Sequence, residues 1–330
     1  MGRITTALEW GRAMVPTRAM LVWCLVGTMA LMTIASFALA RLTVDFSSPW
    51  LPLAITGLFG VSIFYRYQRP DPYLCAVAEA AAQMLLILLF GILLTYAAMA
   101  TNFPYRDAEL YAIDRTLGLD RRAYLDFVNS RPLLAELAGY SYQSLLPQFA
   151  LVPMVLMVAG QLPRLRRWMI AFGLALIATS AISVFTPAVA AFVYLDLTPH
   201  VYANIASTVY THVPTLEALR AGTLQSIKLD NLEGLITFPS FHTTGALMFI
   251  WAFRTVPFVR GPAAALNISL ILATPIDGAH YFIDLVGGAA VAFAAIAASH
   301  WLCRYARTDE DLAVAVPAAP ATAKSAGASI

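Results

Sequence analysis

The stretch TFPSFHTTGALMFIWAF, from Thr237 to Phe253, sets polar side chains against the start of a strongly apolar run. Ser240 and His242 lie at its polar end, and the residues that follow are apolar enough to enter a bilayer. Ionisable side chains at or within a membrane are energetically costly, so those that are present tend to be functional. His242 is therefore a candidate functional residue at the end of a predicted membrane helix.

The composition of the chain is that of an integral membrane protein. Of its 330 residues, 60% are hydrophobic and 12% are charged, whereas an ordinary soluble domain carries about 25% charged residues. The cysteines Cys24, Cys75 and Cys303 all fall in apolar segments, so we expect packing residues rather than disulfide partners. We predict an all-α integral membrane protein.

Windows of about 20 apolar residues, the length that crosses a bilayer as a helix, predict about eight transmembrane helices. These predicted spans are Ala19–Ala40, Trp50–Tyr65, Tyr73–Ala98, Leu137–Gly160, Trp168–Phe192, Phe241–Phe258, Ala263–Ile283 and Leu285–Cys303. The fourth span carries Tyr140, Ser141, Gln143 and Gln148, so we expect it to line a polar region.

Two segments are predicted to lie outside the hydrocarbon core. Residues 105–132 show an amphipathic spacing among charges, which favours helices on the membrane interface, and Asp107 or Asp114 could contact substrate hydroxyls there. Residues 195–239 form a long polar connection, and such loops are usually functional. We predict four parts of the chain. Residues 1–18 form a cytoplasmic amino terminus, and residues 19–132 form the first spans and the interfacial segment. Residues 133–303 form a helical catalytic core with an extracytoplasmic loop at 193–240, and residues 304–330 form a disordered cytoplasmic tail.

The distribution of Lys and Arg predicts the orientation of the chain. The short connections YRYQRP and PRLRRW, which begin at Tyr65 and Pro163, are rich in arginine and fall on the same side as the amino terminus. Short basic loops remain cytoplasmic. We therefore predict cytoplasmic termini in a plasma or inner membrane, with the His242 end of its helix on the extracytoplasmic face.

His280 and Asp284 are expected on the same face as His242, because two further spans separate them from it. On a helix, residues four apart are in contact reach, and a carboxylate beside an imidazole fixes its tautomer. The other ring nitrogen of His280 could then attack an electrophile, while His242 could protonate a leaving oxygen. Candidate substrate- and phosphate-binding residues are Arg220, Lys228, Ser240 and Tyr281.

Other interpretations of these residues stay open at this point. His280 and Asp284 could form a structural hydrogen-bonded pair or half of a metal site. Gly287 and Gly288 are most simply explained by close helix packing. A transporter could instead use Glu79 and the polar residues of the fourth span as a relay. Glu79 is more simply explained by a hydrogen bond to Gln83, one turn further on.

The motifs FPSFH, residues 238–242, and GAHYFIDLVGG, residues 278–288, resemble the type 2 phosphatidic acid phosphatase superfamily. Within it, the chain is most similar to the inositolphosphoceramide synthase-like branch of lipid phosphotransferases. The resemblance implies a six-helix membrane core, an extracytoplasmic active site and a phosphohistidine intermediate, without metal or other cofactor. It implies that His280 is the nucleophile, Asp284 its partner and His242 the leaving-group acid, with Ser240 on the phosphate.

Two departures from the superfamily pattern favour the phosphotransferase branch. The first motif of the superfamily, a Lys followed after six residues by Arg-Pro, is absent before FPSFH. The segment LRAGT, residues 219–223, resembles the corresponding loop of the phosphotransferase branch, which implies that Arg220 is the phosphate ligand instead. The Ser-Arg pair usual before the nucleophile is Ala273–Thr274 here. We predict hydrolysis of a phospholipid or lipid phosphate, or headgroup transfer to a ceramide- or diacylglycerol-like acceptor, with no nucleic acid partner.

Overall fold

A computed structural model describes residues 16–197, 201–205, 209–230 and 232–306. The predicted amino-terminal segment and carboxy-terminal tail therefore lie outside the described residues, apart from 16–18 and 304–306. The described elements, in chain order, are α1 (Arg18–Ala40), β1 (Thr43–Asp45), α2 (Trp50–Tyr67), α3 (Pro72–Met99), α4 (Asp107–Thr116), α5 (Arg121–Asn129), α6 (Pro132–Gln143), α7 (Leu145–Val158), α8 (Leu162–Phe185), α9 (Ala191–Tyr194), α10 (Val209–Arg220), β2 (Ser226–Lys228), α11 (Phe241–Phe253), α12 (Pro257–Asp277) and α13 (Phe282–Cys303).

The helices confirm the prediction of an all-α membrane protein. Five of them, α1, α3, α8, α12 and α13, are long and apolar enough to cross a membrane. A sixth span results if α6 and α7, which meet at an angle of 52°, are counted as one. The remaining two predicted spans correspond to α2 and to α11, which has only 13 residues. The two short strands pair in parallel, with Thr43 opposite Ser226 and Asp45 opposite Lys228.

Helix α8 differs most from its predicted bounds, because it begins six residues before Trp168 and ends at Phe185 rather than Phe192. The arginines of the PRLRRW segment were expected in a loop, but inside the helix they find partners. Arg164 donates to the carbonyl oxygens of Ala252, at 3.0 Å, and of Trp251. Satisfied charges remove the cost that would otherwise end a membrane helix at this point.

Arg166 lies buried in the bundle beside Glu79, with 3.5 Å between guanidinium and carboxylate. Glu79 also accepts a hydrogen bond from the Trp23 indole at 2.7 Å. The predicted hydrogen bond between Glu79 and Gln83 is wrong, because the Gln83 amide donates instead to the carbonyl of Ala19 at 3.5 Å. The cause is lateral packing, because α1 and α8 both press against the face of α3 that carries Glu79.

The polar residues of the predicted fourth span join neighbouring helices. Asn267 of α12 donates to the Gln148 side chain at 2.7 Å, and the hydroxyls of Ser141 and Ser269 lie 2.9 Å apart. Such interhelical hydrogen bonds hold membrane helices together. These side chains therefore attach α6 and α7 to α12. Tyr140, from the same predicted span, is instead 66% exposed.

An aromatic core at the centre of the bundle positions α11. Trp168 stacks on Phe172 with ring centroids 5.1 Å apart, and Phe149 lies edge-on to Phe249 at 5.3 Å. These rings belong to α7, α8 and α11, and all four side chains are buried. Their contacts fix the depth of α11 and hence the position of His242 at its first turn.

The amino-terminal ends of α11 and α13 approach each other closely at Gly288. The Thr244 hydroxyl, one turn into α11, donates to the Gly288 carbonyl at 2.9 Å. A Cβ on Gly288 would lie 2.3 Å from the carbonyl oxygen of Ser240, so the helices could not pack this closely with any other residue. A Cβ on Gly287 would meet Phe238 and Pro239 at 2.9–3.1 Å. The two motifs are thus joined by backbone packing.

We expect Gly288→Ala to destabilise the fold by about 1–3 kcal/mol, since the new methyl group meets rigid backbone. Thermal unfolding in detergent measures the effect. Gly261→Ala in α12 is the matched control, because a Cβ there has no heavy atom within 4 Å and alanine favours a helix. Equal unfolding temperatures for both variants would contradict the packing assignment.

Candidate active site

His242 and His280 lie side by side at the junction of the two motifs. Their ring centroids are 5.8 Å apart and the ring planes are inclined by 64°. His280 is buried with 3% of its surface exposed, whereas His242 is partly exposed. Because reacting groups approach each other to about 3–3.5 Å, both rings can contact one group held between them.

His280 and Asp284 are in contact, but not as two residues stacked on a helix. Helix α12 ends at Asp277, six residues before the predicted end of the span at Ile283, and α13 begins only at Phe282. His280 lies in the connection between them, where Ala279 adopts a positive φ of 49°. The predicted helical stacking is therefore wrong, because the chain breaks its helix before His280 and starts another after it.

The carboxylate of Asp284 performs two structural tasks at the start of α13. Its Oδ2 atom lies 3.2 Å from Nδ1 of His280 and accepts the backbone N–H of Tyr281 at 2.7 Å. An acidic side chain at this position satisfies the unpaired N–H groups of a helix start. The same atom holds the imidazole, so that Nε2 of His280 points away from the carboxylate and is the nitrogen available for chemistry.

Ser240 precedes α11 and is buried. Its hydroxyl accepts the N–H of Thr243 at 3.3 Å, which makes it the cap of the helix. Its own N–H donates to the carbonyl of Asp284 at 3.0 Å. Ser240 thus joins the two motifs, and its assignment as a phosphate ligand stays a prediction.

The connection that carries His280 is braced by α4 and α5, which sequence analysis placed on the interface. The carboxylate of Asp114 accepts the N–H groups of Phe282 at 2.8 Å and Ile283 at 2.9 Å. Arg121 donates to the carbonyl of Pro275 at 2.8 Å and to that of His280. Burial lowers the pKa of the Arg121 guanidinium from its ordinary value. These residues hold the backbone on both sides of the imidazole.

Asp107 extends this brace to Tyr281. It accepts the N–H groups of Val189 and Ala190 at 2.9 and 3.2 Å and the Tyr281 hydroxyl at 2.9 Å. Burial, and then the neighbouring Asp107, raises the pKa of the Tyr281 phenol above its ordinary value. The buried Tyr281 hydroxyl is thus engaged within the protein, and its substrate-binding role stays a prediction.

The suggestion that Asp107 or Asp114 contacts substrate hydroxyls is not supported, because both carboxylates are buried in protein hydrogen bonds. A signal for their actual role was present in the sequence. Asp107, Asp114 and Arg121 recur at intervals of seven residues, which is close to two helical turns. Within α4, that spacing places both aspartates on one face.

Two further residues border the histidines, and sequence analysis did not identify them. The ring of Tyr142, at the end of α6, stacks on His242 with centroids 4.1 Å apart. His212, in α10, is close enough to His280 to be affected by its charge. Burial first, and the charge of His280 second, lower the pKa of His212 to about 4. Its position in the long polar connection was the only signal in the sequence.

Arg220 and Lys228 contact residues other than the two histidines. Arg220 lies over the ring of Tyr105 at 3.9 Å and donates to the carbonyl of Phe103 at 2.8 Å. Lys228 is exposed on β2, opposite Asp45. Both assignments as phosphate ligands stay predictions. Within the described ranges, no group of three or more His, Cys, Asp or Glu side chains could hold a metal ion, so the suggested half-site has no further ligand of these types there.

The chain was compared with known protein families. The sequence model of the PAP2 superfamily matches residues 108–298, which include both motifs, Asp114 and Arg121. No curated protein and no solved structure matches the chain.

We expect the stability of the protein to fall as the pH is lowered from about 6.5 to about 4, in part because of His212. The unfolded histidine takes up a proton near its ordinary pKa of 6.5, while the buried one resists protonation down to about 4. Unfolding temperatures across this range should fall less steeply for His212→Asn than for the wild type. Parallel curves would contradict the assignment.

Proposed function

Because the chain belongs to the PAP2 superfamily, whose members are phosphatases and phosphotransferases, we propose that it cleaves lipid phosphate esters through a phosphohistidine on His280. The arrangement of His242, His280 and Asp284 is the observation that carries the proposal. One imidazole is held by a carboxylate at 3.2 Å, and the ring centroid of a second imidazole lies 5.8 Å from that of the first. Phosphoryl transfer needs a nucleophile, an acidic group that orients it and a separate proton donor, and His280, Asp284 and His242 can fill these three roles.

In the first step, Nε2 of His280 attacks phosphorus and the bond from phosphorus to the lipid oxygen breaks. Asp284 keeps the proton on Nδ1 and stabilises the positive charge that develops on the ring. His242 gives a proton to the departing alkoxide, which leaves as a neutral alcohol. In the second step, water or an acceptor alcohol gives a proton to His242 and attacks phosphorus, and the phosphorus–nitrogen bond of His280 breaks.

Charge on the non-bridging oxygens requires donors and cations close by. We assign Arg220 and Ser240 to this role, with Lys228 and Tyr281 as further substrate contacts. The Nη1 atom of Arg220 is buried without a hydrogen-bond acceptor among the described residues, which supports its use for a substrate oxygen. The missing cation at Ala273–Thr274 favours the inositolphosphoceramide synthase-like branch, and therefore headgroup transfer to a ceramide- or diacylglycerol-like lipid.

Charges at the opposite end of the bundle support an extracytoplasmic active site. Arg18 donates to the carbonyl of Pro163 at 3.0 Å, and Arg167 lies 3.5 Å from the His300 ring. With Arg164 they form a basic end of the bundle, remote from His242 along α11 and from Asp284 along α13. Basic ends remain cytoplasmic. A transporter relay is less well supported, because Glu79 pairs with Trp23 and Arg166.

We expect His280→Ala to abolish turnover of labelled phospholipids and lipid phosphates in mixed micelles, because no phosphohistidine can form. Free phosphate and new lipids are measured together, with ceramide and diacylglycerol supplied as acceptors. Denaturation at alkaline pH should trap a labelled adduct in the wild type that is stable in base and lost in acid. His300→Ala is the matched control, because His300 lies at the opposite end of α13 and is exposed. Undiminished turnover in His280→Ala would overturn the proposal.

We expect His242→Ala to slow turnover of alkyl phosphate esters by about 10²–10⁴-fold, the range of general acid catalysis. The loss should shrink for p-nitrophenyl phosphate, whose phenolate leaves without a proton. The kcat/KM values for the two esters measure the difference, because they report the steps up to formation of the phosphohistidine. An equal loss on both would show that His242 has no role as the leaving-group acid.

A further inference from the structure

The stacked pair of Tyr142 and His242 forms one wall of the candidate active site. The two rings are inclined by only 15°, with centroids 4.1 Å apart, so they are in face-to-face contact. The His280 ring stands at 64° to the imidazole of His242. Tyr142 and His242 are both partly exposed, whereas His280 lies deeper. His242 is therefore in contact with a tyrosine ring on one side and close to the attacking histidine on another.

Two features of the backbone place Tyr142 in this position. Helix α6 ends at Gln143, at a 52° bend to α7, and its last turn contacts the first turn of α11 through Tyr142 and His242. Gly278 then leaves room for the phenol. A Cβ on Gly278 would lie 2.7 Å from Oη of Tyr142, 2.8 Å from its Cε2 atom and 2.8 Å from Cδ2 of His280. A larger residue at 278 would therefore press on the rings of both Tyr142 and His280.

Resting on the proposed function, we propose that Tyr142 is a positioning residue that fixes the plane of the His242 imidazole for proton transfer to the leaving oxygen. The terminal torsion of histidine is broad and roughly two-fold, so an unsupported ring samples many orientations. A general acid must come within about 2.6–3.2 Å of the oxygen it protonates. A flat ring pressed against the imidazole removes the rotations that would turn its nitrogen away.

The stack itself, rather than the phenol hydroxyl, carries this role. The contact with His242 is made by the faces of the two rings, whereas Oη lies over Gly278. A phenylalanine at position 142 would keep the face and lose only the hydroxyl. Leucine would fill similar space without a flat surface and would leave the imidazole free to rotate. The two substitutions therefore separate stacking from hydrogen bonding.

The dependence of rate on the leaving group tests this role. Phosphatidic acid and phosphatidylinositol release an alkoxide that needs a proton, and p-nitrophenyl phosphate releases a stable phenolate. We expect Tyr142→Leu to lower kcat/KM for the alkyl esters by about 10-fold or more, with kcat/KM for p-nitrophenyl phosphate within about threefold of wild type. Tyr142→Phe should restore the ratio of the two rates. Tyr140→Leu, on the exposed side of α6, is the matched control.

Equal losses on both classes of ester, or an unchanged ratio, in Tyr142→Leu would overturn the inference. If His280→Ala is inactive on both classes while Tyr142→Leu keeps the wild-type ratio, only the positioning role fails. Wild-type protein that turns over none of the probes contradicts both this role and the proposed function.

Discussion

Asp284 connects the two motifs that form the site, through its side-chain carboxylate and its backbone carbonyl. Its side chain holds His280 and the first turn of α13 together, and its carbonyl accepts the N–H of Ser240 from the other motif. Both side-chain contacts are made by Oδ2, whereas Oδ1 is buried without a hydrogen-bond partner among the described residues. Helix initiation, imidazole orientation and the contact of the two motifs are therefore coupled, and a change in one is felt by the others.

This arrangement is held from outside the helical bundle as well as from within. The segment that looked like a peripheral amphipathic surface supplies Asp114 to the N–H groups at the start of α13 and Arg121 to the carbonyls of Pro275 and His280. The acidic side chain thus binds backbone N–H groups, and the basic side chain binds backbone carbonyls, on the two sides of one short connection. Preorganised backbone geometry of this kind avoids reorganisation during a reaction.

Sequence analysis predicted the helical class and the bounds of α1 and α3 nearly to the residue. It also predicted that His242, His280 and Asp284 lie close together. It misjudged how His280 reaches Asp284, because a spacing of four fits both a helix interior and a residue just before a helix start. The early start of α8 was missed because the acceptors for its arginines lie in other helices. Tyr142 could not be identified, since its stack depends on the bend after Gln143 and on the space at Gly278.

The shortness of α11 has a consequence for how a lipid would reach the histidines. Thirteen residues span about 20 Å, whereas the hydrocarbon core of a bilayer is about 30 Å thick. If the basic end of the bundle lies at one membrane surface, as proposed, an untilted α11 would place His242 about 10 Å below the opposite surface. A phosphate ester would then descend from the headgroup layer while its acyl chains stay among neighbouring lipids, and the alcohol released would return to the leaflet without crossing water.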